Sequence, residues 1–185
     1  MRLKYTLLLI LCCVLLINCA GETNTDFVIS GDKVGKLSKE SLARDVELIF
    51  EKDSVVQDTV KLKIGSGASK IRIFERGAGA LLLTLTPNND SIATIQNVLI
   101  NDERFKTDKG ISKLSTFKEI RENYPIKKII TSINNVVVLL KDSDLYFTID
   151  KKELPESLRY NANSNIEEVQ IPDAAKVKYM MVGWD

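Results

Sequence analysis

Between Ile71 and Ile100 the chain doubles back twice, and the spacings leave room for nothing but neighbouring antiparallel strands. Ile71 and Ile73 flank Arg72, Leu81, Leu83 and Leu85 share the next face, and Ile92 to Ile100 supplies a further apolar run. A period of two puts one face of each such strand in a core and leaves the other to solvent. The runs are separated by Arg76-Gly77-Ala78-Gly79 and Pro87-Asn88-Asn89-Asp90, residues that supply left-handed and side-chain-capped turn positions. A parallel crossover needs a dozen or more residues, usually a helix, and none is available here. An antiparallel meander follows. Val60, Leu62 and Ile64, alternating with Lys61 and Lys63 ahead of Gly65-Ser66-Gly67, extend it upstream.

Before this meander, Asp26 to Ser30 reads as a short strand ended by Gly31-Asp32. A helix is expected from Ser38, because Leu42, Val46, Ile49 and Phe50 fall on one helical face. Ser38 stands at its cap, and Leu37 with Leu42 has staple spacing. A second helix is expected from Thr116 to Glu122. Thr116 and Glu119 have capping-box spacing, Phe117, Ile120 and Tyr124 form the apolar stripe, and Pro125 closes it.

Strands follow at Lys128 to Thr131, Val136 to Leu140 and Leu145 to Ile149, the last two joined through Lys141-Asp142-Ser143-Asp144. A final strand is expected over Lys176 to Val182, with Val177, Tyr179 and Met181 on one side. The fold class is therefore α+β: antiparallel sheet meanders with two short packing helices. Lys36-Leu37-Ser38 precedes a helix containing Arg44, and Lys113-Leu114-Ser115 precedes one containing Arg121. This likeness reads either as a degenerate internal duplication, with submodules 31–100 and 101–185, or as ordinary reuse of a helix cap ahead of a sheet.

The first 25 residues are of another kind. Arg2 and Lys4 precede an apolar run from Tyr5 to Ile17, 13 residues. As helix that run spans roughly 20 Å against a hydrocarbon core of about 30 Å, too short to cross a bilayer. Leu16-Ile17-Asn18-Cys19 then places an aliphatic residue three positions before a cysteine, and Ala20-Gly21-Glu22-Thr23-Asn24-Thr25 is small and polar. The pattern is that of a lipoprotein signal peptide over residues 1–18, a lipidated polar tether over 19–25 with the acyl anchor on Cys19, and one α+β domain over 26–185. Cys12 and Cys13 read as apolar filler. Among lipoproteins as a class, the absence of aspartate after the cysteine points to the outer membrane. The absence of an acid cluster points to a periplasm-facing domain.

Removal of the leader takes away Arg2 and Lys4, leaving 24 basic residues against 25 acidic, so the balance favours no nucleic-acid partner. The chain contains no histidine, which excludes every His-dependent triad or metal site. Gly31-Asp32-Lys33-Val34-Gly35-Lys36 lacks the spacing and the hydroxyl of a phosphate loop, and Gly77-Ala78-Gly79-Ala80 reads as a turn opening a strand. Asp142, Asp144 and Asp150 fall short of a calcium loop because Tyr146, Phe147 and Ile149 between them are a strand, leaving a turn or a weak adventitious cation site. Asn88, Asn89 and Asp90 read the same way. Glu75 and Glu103 are the least ordinary carboxylates, and solvation of strand ends accounts for them. Lys127-Lys128 and Lys151-Lys152 read as solvated faces, with docking to anionic lipid or envelope polymer as the alternative. Phe117, Tyr124 and Tyr160 are either core aromatics or a groove, and Trp184 either an edge-strand clamp or a ligand platform.

The run Gly110-Ile111-Ser112-Lys113-Leu114-Ser115-Thr116-Phe117, followed by Tyr124-Pro125 and a strand pair, resembles a pattern in envelope lipoproteins of the stress-regulated, sigma-E-controlled type. The resemblance covers about residues 31 to 149. It implies envelope residence and an α+β fold, and carries no chemistry to particular residues. The expectation is an envelope module, held on the lipid bilayer through acylated Cys19, that binds a ligand or plays a structural part. No catalytic residue, metal ligand or cofactor is assigned. An accessory subunit of an envelope protein assembly is the alternative, and a histidine-free hydrolase a more distant one.

Overall fold

The computed structural model describes residues 25–57, 69–160 and 165–184. The leader, Cys19, the Val60 to Ile64 alternation and the Gly65 to Gly67 turn lie outside the described residues. The described residues form two sheets and three short helices. The smaller sheet is built from β1 (Val28–Ser30), β2 (Lys33–Val34), β3 (Leu37–Ser38) and β8 (Lys106–Thr107), in the order β3-β2-β1-β8. Its β1–β8 pairing is parallel.

The larger sheet holds eight antiparallel strands in two meanders. The first is β4 (Ser54–Gln57), β5 (Ile71–Phe74), β6 (Leu81–Pro87) and β7 (Ile95–Ile100). The second is β9 (Ile126–Thr131), β10 (Asn135–Leu140), β11 (Leu145–Asp150) and β12 (Val177–Gly183). They meet side by side through β7 and β12, giving the order β4-β5-β6-β7-β12-β11-β10-β9. Ile100 faces Met180 and Val98 faces Val182 across that seam, and all four side chains are buried. Each meander follows a short helix, α1 (Val46–Ile49) or α2 (Phe117–Asn123), while α3 (Glu156–Arg159) lies in the long connection from β11 to β12.

The first helix is shorter than its apolar spacing suggests. Leu37 pairs with Val34 and Ser38 with Lys33 as strand, and Leu37 and Val34 are wholly buried, so the hairpin claims both the expected cap and the staple position before it. Ser38 gives its backbone N–H to Ser41 Oγ instead of capping a helix (3.0 Å). Leu42 bridges to Thr94, leaving a 3-10 turn at Ala43–Asp45 to lead into α1. The supposed phosphate loop is this same hairpin. Gly35 has φ +57°, and a Cβ there would sit 2.3 Å from the Asp26 carbonyl oxygen.

The second helix follows its sequence closely. Thr116 and Glu119 form a complete capping box, and Phe117 and Ile120 are fully buried. The Phe117 and Lys118 N–H groups, left over at the helix start, are accepted by the carbonyls of Ala175 (2.8 Å) and Asp173 (3.0 Å). The turns also fall where the sequence puts them. Gly77 and Gly79 take positive φ between β5 and β6, and Asp142 takes φ 54° between β10 and β11.

Two expected faces are revised. β12 is central, lying between β7 and β11, so Trp184 is no edge clamp: it is 3% exposed and part of the core. Tyr179 and Met181 share a face as expected, but a register shift between Thr148 and Ile149 brings Val177 opposite Ile149 and so to the core side with Met180 and Val182.

Gly35→Ala should destabilise the protein by more than about 1 kcal/mol, since both the left-handed φ and the close carbonyl oppose a Cβ. Gly31→Ala, with nothing within 4 Å, is the control and should melt within experimental error of wild type. Thr116→Ala should cost about 1 kcal/mol through the lost cap. The Thr116 N–H and hydroxyl hold the Glu119 carboxyl below its ordinary pKa. That contribution is present above the unfolded carboxylate pKa and disappears as pH falls through the lowered folded value. The difference in melting temperature between wild type and Glu119→Gln should therefore shrink from about pH 7 to about pH 3.

Candidate functional site

One face of the eight-stranded sheet carries the core, and the helices and the smaller sheet contribute their buried side chains to that same core. The opposite face is continuous. Successive register pairs run Val56, Arg72, Thr84, Leu99, Met181, Tyr146, Leu139 and Lys128 across all eight strands. A second row runs Tyr179, Thr148, Val137 and Ile130. Leu99, Met181, Leu139 and Val137 are only part-covered, whereas Val56, Ile130 and Tyr179 are exposed. The centre is thus aliphatic and aromatic, with cations towards both edges.

Tyr146 ties three strands together on this face. It starts on β11, passes Gly183 of β12, and its phenol oxygen accepts from Asn97 Nδ2 of β7. A Cβ on Gly183 would stand 3.2 Å from Tyr146 Cε1, so the missing side chain is what lets the ring lie across the strand. Further along, Lys178 Nζ donates to Asp150 Oδ2 (2.9 Å) and Asn135 Oδ1 (3.0 Å), and lies 5.5 Å from the Tyr179 ring centroid. The Lys152 backbone N–H and then Lys178 hold the Asp150 carboxyl below its ordinary pKa. Asp150 in turn raises that of Lys178.

Beyond that pair opens a cavity of about 670 Å³, lined by Asn134, Asp150, Lys151, Lys152, Arg159, Tyr160 and Lys178. Lys151 is buried in its wall, and Tyr160 is 84% exposed at its margin.

The structure separates most of the residues that the sequence marks. Glu75 joins no acid pair: Arg104 grips both its oxygens (2.7 and 2.9 Å) and also binds Asp102 Oδ1 through Nε (2.9 Å). Arg104 thereby holds both carboxyls below their usual range, the opposite of what a general acid needs. The guanidinium also sits 4.4 Å from the Phe27 ring centroid, which fixes it as a link between the loop after β7 and the start of the domain. Asp142 shapes a turn, Asp144 pairs with Lys39 (3.6 Å), and Asp150 pairs with Lys178, so the three acids serve separate contacts. Phe117 is a core residue. Tyr124 lies under Lys109 Nζ (4.3 Å) and borders a different cavity from Tyr160, so these aromatics build no common groove.

This face, which no described element covers, was not singled out by sequence. Its signal is the run of apolar residues at both parities in Asn135–Leu140 and Val177–Gly183, which a strand buried on both sides shows equally well.

The fold has a counterpart among solved bacterial proteins. The crystal structure of the uncharacterized protein yfeY from Escherichia coli superposes with a TM-score of 0.52 over 84% of this chain and 98% of that one, at 11% identity. This likeness is one of fold. No protein-family model matches the chain, and no curated protein matches it.

If Gly183 exists to accommodate Tyr146, Gly183→Ala should destabilise wild type yet be neutral or favourable in a Tyr146→Ala background. The coupling from a double-mutant cycle by denaturant unfolding should be about 0.5–1 kcal/mol.

Proposed function

We propose that the chain is a membrane-anchored envelope lipoprotein, cleaved before Cys19 and acylated there, that acts as a binding module through the uncovered face of its eight-stranded sheet. The observation that carries this reading is the face itself: Leu99, Met181, Tyr146, Leu139 and Val137 stand at its centre and belong to no core. A contiguous apolar patch framed by polar residues marks an interaction site on a soluble domain. The Gly110 to Phe117 run, with its resemblance to sigma-E-controlled lipoproteins, and the leader pattern support envelope residence. Outer-membrane attachment with the domain facing the periplasm is the corresponding location.

The chemistry of the patch favours a protein as the occupant, and so an accessory role in an envelope assembly. Tyrosine and methionine at the centre with cations towards the edges is the composition of a protein interface. Hydrolysis has less support, because the carboxylates that sequence singled out are either gripped by Arg104 or dispersed.

Photo-reactive residues placed at Ile130 or Tyr179 of the protein in native membranes should yield a discrete protein adduct, and one placed at the exposed Leu48 should not. Equal labelling at all three positions would reject the face as the binding surface. In the same membranes, intact mass should show loss of residues 1–18 and gain of lipid. Cys19→Ser should release the protein, because stable attachment takes two or more acyl chains.

A further inference from the structure

The cavity at the end of the sheet has a charge pattern that the uncovered face does not explain. Its cations are not equivalent. Lys178 is engaged by Asp150 at 2.9 Å, and that pair is neutral as a unit. Lys151 is buried in the wall, where it makes contacts of its own. Lys152 and Arg159 are exposed, and among the described residues neither has a carboxylate within ion-pair distance.

Both are held in place by the backbone. The Lys152 N–H donates to Asp150 Oδ1 (3.0 Å), fixing the residue in the 3-10 turn after β11. Arg159 Nε donates to the Leu154 carbonyl (2.7 Å), and Leu154 is itself core. The guanidinium is therefore oriented by a buried anchor, and its Nη groups make no hydrogen bond to any other described residue.

We propose that this cavity is a binding site for a phosphomonoester. Lys152 feels Asp150 only through space, and two cations with no carboxylate in ion-pair contact among the described residues complement a dianion: a phosphomonoester carries about −1.5 to −2 charges near neutral pH. A carboxylate would neutralise only one of them. The guanidinium fork offers paired donors to phosphate oxygens and the lysine adds a point charge. A volume of about 670 Å³ exceeds what a lone phosphate fills and suits a sugar phosphate or a lipid headgroup. Tyr160 offers a ring face to the organic part, and Asn134 a hydrogen-bonding amide. The site stands apart from the sheet-face reading and requires no particular mode of anchoring.

The test is calorimetric titration of the full-length protein in dodecyl maltoside micelles. Glycerol 3-phosphate should bind, and Lys152→Ala/Arg159→Ala should weaken it at least tenfold. Lys33→Ala/Lys106→Ala, which removes the same charge from the smaller sheet, should leave it unchanged. Micelles doped with phosphatidic acid separate the sources: tighter binding than glycerol 3-phosphate identifies a lipid headgroup, and equal binding a free ester. No binding of either probe would overturn the proposal. So would equal binding of glucuronate, or an equal loss in the charge-matched control. If melting shows the double variant unfolded, Lys152→Gln alone carries the same test through an exposed side chain.

Discussion

Among the described residues, the layers all pack against one side of one sheet. Side chains from both meanders, the smaller sheet, α1, α2 and the connection after β11 all enter a single core. That choice fixes the rest. With its helices and second sheet committed to one face, the chain is left with a second face that must tolerate water while its strands remain rich in apolar residues. It does so with local devices. Thr84 donates to Asn101 Oδ1 (2.9 Å), Tyr146 reaches Asn97, and Lys178 spans Asp150 and Asn135. Each is a polar pair placed between rows of aliphatic side chains, where an unpartnered polar group would carry a desolvation cost.

Much of this architecture could be read from the residues, because most of the decisive signals are local. The glycine-rich turn before Leu81, the Asn-Asn-Asp turn after Pro87 and the capping box at Thr116 are each set by neighbours within a few positions. What could not be read is what depends on distant partners. The helical spacing of Leu42, Val46 and Ile49 is real, yet Leu37 next to it is worth more as a buried strand residue opposite Val34. The parallel pairing of Val28 with Lys106 and the seating of Val177–Gly183 at the centre of the sheet join segments about 80 residues apart, and no periodicity carries such information.

The candidate site was legible in part for the same reason. Lys151-Lys152 is visible as a basic pair, but Arg159 and Lys178 join it only through the fold, and only the fold shows that Lys178 is already occupied. The reverse holds for Glu75. Its sequence setting is slightly unusual, and the explanation lies in Arg104, 29 positions away, which locks it as an ion pair. The uncovered face hid behind an ambiguity of strand patterning, since apolar residues at both parities describe a strand sandwiched between layers as well as one with a bare side.

The position of β12 has a consequence for the chain as it is made. Two hydrogen-bonding edges, β7 and β11, wait for the same seven residues, which come after both of them in the chain. Until they arrive, the first meander is a four-stranded ribbon and the second a three-stranded one, each with a sticky flank, the kind of edge that pairs with whatever strand is nearby. A chain made from its N-terminus exposes the first flank well before the means of closing it has been made. β12 is therefore a latch that closes both flanks at once and joins two separate ribbons into one sheet.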